Sequence, residues 1–379
     1  MRLVFLSHSS DCTGGAQRCL LDLLKGLKEN HPEWQIYVVF PGQGDLVDAC
    51  SAYISGYKIL RMRWWLVGGN GHIGIGDKLV YARKLFKYSI KLARYLKQIK
   101  PDYGITNTIV LPHLACACKF LKIRHCWFIH EIPDATWQDN GFIFKSQSVF
   151  KLVDKLSAKV LVTSEYAKCY YQNIMTGGKV HVITQAVELQ TVLGVNKDRS
   201  LHDRYTLLLV GAFDSNKGQM ELLQAVKSIV DKEKDVFCYL VGPDYGFISI
   251  CEDYIKNNGL SSSVKIVPFV KQIYPYYYLA DVLLVCSAFE TFGRGAVEAQ
   301  KCGLPVILSD VGANLERIEN GINGLLYQKG NIMDLVEKIE LLRDMTVRNT
   351  FSKNINLVML EEKYSSDHFA SNFAKLLNL

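Results

Sequence analysis

Two glutamates, Glu290 and Glu298, stand eight positions apart in the run E-T-F-G-R-G-A-V-E-A-Q-K-C-G. Carboxylates at that spacing can accept hydrogen bonds from two separate parts of one polyol, such as two sugar rings. The turn between them holds Gly293 and Gly295 and passes into a helical run, Ala296 to Lys301, that Gly303 can end. Apolar strand-like runs flank it, Val282 to Val285 before and Pro305 to Leu308 after. Strand, glycine-bearing loop, helix, strand is one β-α-β unit. Its loop lies at the carboxyl end of a parallel strand, where open sheets bind ligands, and its backbone N–H groups near the helix start suit hydroxyls or anions. An ordinary crossover with one surface and one capping glutamate has the same local pattern.

Three other places carry chemistry. Lys217 stands in G-A-F-D-S-N-K-G, between a strand expected over Tyr205 to Val210 and a helix over Met220 to Val230. An ammonium at a helix entrance suits a diphosphate. Gly14 and Gly15 end the loop between a strand over Arg2 to Ser7 and a helix over Ala16 to Lys28. There a backbone without side chains can approach a phosphate closely, although a plain tight turn accounts for the glycines equally well. The loop is neither the G-x-G-x-x-G fingerprint nor a P-loop. His130 follows a strand over Cys126 to Ile129 and is therefore placed to touch a ligand, whereas a lone histidine is more often structural.

The elements that must position these residues fit two domains. The chain has 379 residues, 49% apolar and 21% charged, enough to bury two cores. The grammar of strand, loop and helix runs once over 1–185, breaks over a connector at 186–203, and restarts over 204–358. A terminal segment, 359–379, carries a helix over Tyr364 to Leu379 expected to pack back on the first domain. The pattern is α/β, with parallel doubly wound sheets. No run is apolar enough to span a membrane, and the first residues read as a buried strand rather than a secretory signal. The eleven cysteines form no C-x-x-C pair, as expected of free thiols in a reducing cytoplasm.

Charge is uneven. Residues 1–185 hold 24 Lys+Arg against 13 Asp+Glu, a surplus of 11, which leaves about −4 for the remainder of a chain of net charge +7. A helix expected over Lys78 to Lys100, N-capped by Asp77, has eight basic residues and no acid. Its apolar face is read as Leu79, Ala82, Phe86, Ala93, Leu96 and Ile99, and its opposite face as Lys84, Lys87, Lys91 and Arg94. With Trp64 and Trp65 nearby, it reads as an element lying on the inner membrane surface; an ordinary solvated face is the alternative. No nucleic-acid-binding motif is present, so nucleic acid is not an expected partner.

Most of the chain resembles glycosyltransferase family 4, a retaining family of GT-B architecture: two facing Rossmann-like domains with a cleft between them. The resemblance is most specific in V-G-A-F-D-S-N-K-G, V-P-F-V, A-D-V-L-L-V-C-S-A-F-E-T-F-G-R-G-A-V-E-A-Q-K-C-G-L-P-V-I and N-G-I-N-G-L-L-Y. It implies a nucleotide-sugar donor, a UDP- or GDP-sugar, bound mainly by the second domain, a glycan or lipid-linked acceptor, and neither metal nor cofactor. By resemblance Glu298 holds the ribose hydroxyls, Glu290 faces the donor sugar, and the backbone of Thr291, Phe292 and Gly293 contacts the sugar hydroxyls. Lys217 neutralises the diphosphate, Gly14 and Gly15 approach it, His130 sits near the reaction centre, and Pro268 and Phe269 lie near the base. The family often has an arginine where this chain has Ala212; the resemblance leaves Arg294 to supply that contact. Gly312-Ala313 replaces a Gly-Gly pair, and Gln185-Ala186-Val187-Glu188 replaces N-G-V-D. A nucleotide-sugar epimerase of the same architecture, or a catalytically silent subunit, are the alternative functions.

Overall fold

The computed structural model describes residues 1–67, 74–133, 141–176, 178–189, 204–270 and 272–378. Most of the expected connector, and the glycine-rich run from Gly68 to Gly71, lie outside them. The chain forms two units, Met1–Ala186 together with Tyr364–Leu379, and Val187–Lys363.

Seven parallel strands build the first sheet: β1 (Arg2–Leu6), β2 (Gln35–Phe40), β3 (Gly56–Ile59), β4 (Tyr103–Thr106), β5 (Arg124–Ile129), β6 (Lys159–Val162) and β7 (Val180–Val182), in the order β3-β2-β1-β4-β5-β6-β7. Six build the second: β8 (Thr206–Val210), β9 (Phe237–Val241), β10 (Val264–Val267), β11 (Val282–Val285), β12 (Val306–Ser309) and β13 (Gly324–Tyr327), in the order β10-β9-β8-β11-β12-β13. Each sheet reverses its winding once, between β1 and β4 in the first and between β8 and β11 in the second. Such a switch point leaves a crevice outside the carboxyl strand ends. The strands form because their apolar runs are covered on both faces: Leu3 to Leu6 and Leu207 to Leu208 are wholly buried. β3 escapes a sequence reading because its G-Y-K-I has no buried residue at all.

The first core gathers Leu20, Leu23, Leu24 and Leu27 of the helix Gly15–Asn30, together with Phe369 and Phe373 of the C-terminal helix Ser366–Asn378. Tyr103 on β4 donates its hydroxyl to the Leu377 carbonyl at 2.8 Å, which fixes the end of that helix.

The basic helix departs from its expected form. It runs Ile75–Ile99, its N-cap is Gly74, and Asp77 instead accepts the Gly74 N–H at 3.1 Å from the third helical position. Its buried side is Tyr81, Ser89, Leu92, Ala93, Leu96 and Ile99. Leu79 and Phe86, read as part of its apolar face, are 66% and 68% exposed, and Ala82 is exposed with them. A 3.6-residue period fixes only which residues share a stripe; the neighbours decide how far along the helix that stripe is covered. The tryptophans also divide. Trp65 is buried, donates Nε1–H to the Ile109 carbonyl at 2.8 Å and stacks on Trp127, so only Trp64 reaches the surface.

The packing of the two helices supplies a test. Helix propensity alone favours Gly26→Ala by about 1 kcal/mol. A Cβ at Gly26, however, would overlap the Ser366 backbone carbonyl and touch Ala370. Gly26→Ala is therefore expected to lower stability by at least about 1 kcal/mol in denaturant unfolding. An unchanged or raised midpoint would show that the C-terminal helix does not pack closely there.

Candidate functional site

At the switch point of the second sheet, three loops meet. The loop after β8 is shaped by Asp214, whose Oδ1 accepts the N–H groups of Asn216 and Lys217 at 2.9 and 3.0 Å. Asn216 ties it to the loop after β11: its Nδ2 donates to the Phe289 carbonyl at 3.2 Å, and its own carbonyl accepts the Ala288 N–H at 2.7 Å. Gly218, at φ +73°, permits the approach, since a Cβ there would overlap the Cys286 carbonyl. The loop after β12 joins through Ala313, whose N–H donates to the Glu290 carbonyl at 2.9 Å. Beside it Gly312 has φ +57°, and a Cβ would overlap that same carbonyl. Gly312 is thus held by geometry, while its neighbour Ala313, where the resemblance expects a second glycine, tolerates a methyl group.

Glu290 sits where the loops meet. Its Oε1 accepts from Lys217 Nζ at 2.5 Å and from Ser287 Oγ at 2.7 Å. Lys217 is not the solvent-facing ammonium that a helix entrance suggests. Its side chain is 26% exposed and its charge is already engaged. Burial opposes that charge, but Glu290, by charge and hydrogen bond, and Asp214 outweigh it and hold the ammonium above its ordinary pKa.

Gly293, at φ +79°, opens the helix Arg294–Lys301, whose N-terminus has no side-chain cap. Glu298 is 3% exposed; its Oε2 accepts the Tyr277 hydroxyl at 2.8 Å and its Oε1 accepts Arg294 Nε at 3.0 Å. Arg294, which the resemblance leaves to replace a missing phosphate contact, is thus committed to Glu298. Phe292 is buried beneath the Arg317 guanidinium, 4.7 Å from the ring centre, and Thr291 is half-buried. Pro268 and Phe269 follow β10 at the same carboxyl edge of the sheet, both exposed.

The first unit brings a different set to its own switch point. Asn107, just past β4, donates Nδ2–H to the Ala16 carbonyl at 3.0 Å and lies 2.9 Å from His130 Nε2 through its Oδ1. His8, just past β1, contacts Gln17 at 3.2 Å and the ring of Trp64. Burial, then His8, lowers the His130 pKa to about 3, and burial lowers that of His8 to about 4, so both rings are neutral. Glu131 turns inward and accepts from Thr108 Oγ1 at 2.9 Å and from the N–H groups of Ile109 and His130. Gly14 caps the helix with extended backbone, and a Cβ at Gly15 would meet nothing within 4 Å.

Gly14, Gly15 and His130 therefore share one strand-end cluster, and Lys217, Glu290 and Gly293 share another. Sequence reasoning missed His8, Gln17 and Asn107 in the first unit, and Asp214, Asn216, Tyr277, Ser287 and Arg317 in the second. Ser287, three residues before Glu290, carried the one legible signal: a hydroxyl at a strand end. Among the described residues no group of His, Cys, Asp and Glu side chains could hold a metal ion.

Residues 195–357 match the family model of the group 1 glycosyl transferases. An uncharacterized glycosyltransferase of Methanocaldococcus jannaschii is 30% identical over 62% of this chain and 63% of its own. The capsular polysaccharide biosynthesis glycosyltransferase CapM of Staphylococcus aureus is 30% identical over 44% of each chain. The chain thus spans less than two thirds of the length of these curated relatives. Among solved structures, Anabaena HepE in complex with UDP and glucose aligns over 100% of this chain and 99% of its own, with TM-score 0.78 and 20% identity. The lipopolysaccharide outer core galactosyltransferase WaaB aligns over 100% and 99%, with TM-score 0.71 and 18% identity. The fold is that of the GT-B glycosyltransferases, two Rossmann-like α/β units, and the comparisons support a glycosyltransferase.

The ion pair gives the second test. Removing Lys217 leaves Glu290, 14% exposed, with only the Ser287 hydroxyl against Oε1. Lys217→Ala is expected to cost about 1–3 kcal/mol of stability. Glu290→Gln should recover part of that loss in the double variant, read as a coupling energy by calorimetry. Because the lysine pKa is raised, the contribution is complete below about pH 10.5 and fades only as pH rises through the higher folded value. Additive single effects would mean that the pair is not coupled.

Proposed function

We propose that the chain is a retaining, metal-independent glycosyltransferase of family 4 that moves a hexosyl group from a UDP- or GDP-sugar to a glycan or lipid-linked acceptor, in the synthesis of a surface polysaccharide or glycolipid. The observation that carries this reading is the convergence of Lys217, Ser287 and Glu290 from two loops at a switch point, within the segment that matches the family model. In the reaction the bond from the anomeric carbon to the diphosphate breaks and one to an acceptor oxygen forms. The acceptor proton and the nucleoside diphosphate leave. What must be stabilised is the charge on the departing phosphate, which fixed N–H dipoles and a lysine can do. Lys217 meets the diphosphate as part of a pair, so Glu290 tempers its charge while orienting toward the donor sugar. Glu298 serves the ribose from a buried position set by Tyr277 and Arg294. Gly14, Gly15 and His130 act from the first unit.

Purified protein incubated with UDP-, GDP- and ADP-sugars, with and without a chelator, is expected to release one nucleoside diphosphate slowly, chelator or not, with the anomeric configuration of the sugar kept. Release from none of them would remove the reading. Gly15→Ala sharpens the assay. Its methyl group meets no protein atom, so the melting temperature should hold while donor affinity falls tenfold or more, about 1.4 kcal/mol. Unchanged donor affinity would place the phosphate elsewhere.

The acceptor side of the proposal rests on the helix Ile75–Ile99. Ile75, Leu79 and Phe86 are exposed, and so are Lys84, Lys87, Lys91 and Arg94 on the opposite face, an apolar and a cationic surface on one helix that together suit an anionic leaflet. Each cation near such a surface contributes about 1 kcal/mol. No helix among the described residues is long and apolar enough to cross a membrane. We therefore expect peripheral, salt-sensitive binding at the cytoplasmic leaflet. Reversal of Lys84, Lys87, Lys91 and Arg94 to Glu should release the protein from phosphatidylserine vesicles and leave nucleotide binding unchanged. No sedimentation of the unaltered protein at low salt would instead point to a soluble acceptor.

A further inference from the structure

His130 is a ring with two nitrogens, and what it can offer a ligand depends on which one carries the proton. Its partner decides this. Asn107 is 1% exposed and bridges a backbone carbonyl and the imidazole. On one side it faces the Ala16 carbonyl in the first turn of the helix Gly15–Asn30, at 3.0 Å; on the other it faces His130 Nε2, at 2.9 Å. A carbonyl can only accept, so the amide nitrogen of Asn107 must point at Ala16 and the amide oxygen at the imidazole. That oxygen can only accept in turn, so His130 Nε2 must carry a hydrogen. Beside it Gln17 meets His8 Nε2 at 3.2 Å.

We propose that Asn107 is a positioning residue that holds His130 in one tautomer, proton on Nε2 and lone pair on Nδ1, so that the ring meets a hydroxyl of the donor sugar as a hydrogen-bond acceptor. The hydroxyl rests on the function proposed above; the tautomer does not. The consequence for specificity is definite. A neutral ring that accepts a hydrogen bond selects a ligand group with a hydrogen to give, and a sugar hydroxyl has one where an ionised phosphate oxygen does not. The same amide ties the ring to the helix start at which Gly15 leaves its backbone open, so one buried side chain sets both contacts in register.

The titratable groups around the ring are His8, which is neutral, and Glu131, whose Oε2 accepts the His130 N–H at 3.1 Å and whose pKa burial raises despite its hydrogen bonds. Neither supplies a carboxylate to the imidazole itself. Putting one there is therefore informative. Asn107→Asp keeps an acceptor for Nε2–H, loses the donor to Ala16 and adds a negative charge, which should raise the His130 pKa by at least about one unit.

Long-range proton–nitrogen spectra of full-length protein labelled at histidine nitrogens, with His130 assigned from His130→Gln, read the tautomer without any ligand. The unaltered protein should show a neutral ring with the Nε2–H pattern between pH 8 and about 5. Asn107→Leu should show mixed tautomers, and Asn107→Asp a raised midpoint with a new acid limb in the pH profile of UDP-glucose hydrolysis. An Nδ1–H ring or a mixture in the unaltered protein would overturn the inference, whatever the activity. So would an unchanged tautomer in Asn107→Leu accompanied by a simple loss of melting temperature, because Asn107 would then be structural only. If the tautomer is as expected and none of the UDP-, GDP- or ADP-sugars is hydrolysed, the proposed function and the sugar hydroxyl fall together.

Discussion

The second unit depends on a contact between one ammonium and one carboxylate. Lys217 and Glu290 come from loops 73 residues apart in sequence, and their 2.5 Å pair closes the carboxyl edge of β8 onto that of β11. Nothing about either residue alone produces it. The pair exists because Gly218 and Gly312 each sit at positive φ, where a side chain would strike the backbone of the facing loop. Two glycines admit the approach, Asp214 and Asn216 fix the loop that carries the lysine, and Ser287 supplies Glu290 with a second donor. A charge placed so is partly neutralised and partly desolvated. That suits it to a ligand whose own charge changes during reaction better than a free surface lysine would.

The parallel sheets were legible because their strands are apolar on both faces and their turns carry glycine, proline and polar residues at strand ends. What escaped was decided by neighbours. β3 has no buried residue and pairs only at the sheet edge. The periodicity of the helix Ile75–Ile99 was correct as periodicity, yet Leu79 and Phe86 are exposed while Leu92, Ala93, Leu96 and Ile99 are buried. Trp64 and Trp65 are adjacent and belong to different worlds, one at the surface and one stacked in the core. In the candidate site the glutamate spacing drew attention to the right loop. The internal partners of those glutamates did not follow from it, since Tyr277 lies 21 residues before Glu298 and no local pattern joins them.

The two units repeat one winding, with strand order reversing beside the first strand in each, and they fill the switch point with opposite chemistry. In the second, charges meet charges. In the first, the two imidazoles are neutral by burial, His8 and His130 being held far below the ordinary imidazole pKa, and burial raises the Glu131 pKa against its hydrogen bonds. The first unit is nevertheless the basic one in net charge. Many of its cations lie on surfaces such as the helix Ile75–Ile99. A net charge read from sequence therefore describes the surface of a half, and says nothing about the electrostatics of the strand-end cluster within that half.

This separation constrains how such a protein can be selective. On the function proposed, fixed charges in the second unit would serve any nucleoside diphosphate alike and discriminate poorly among sugars, because the sugar carries no charge. Discrimination must come from neutral hydrogen bonds, and these are specific only when donor and acceptor cannot exchange roles. An imidazole free to tautomerise would serve hydroxyl and phosphate alike. Asn107, pinned by the Ala16 carbonyl, removes that freedom without adding a charge. The buried amide thus gives the neutral unit what the ion pair gives the charged one, a direction.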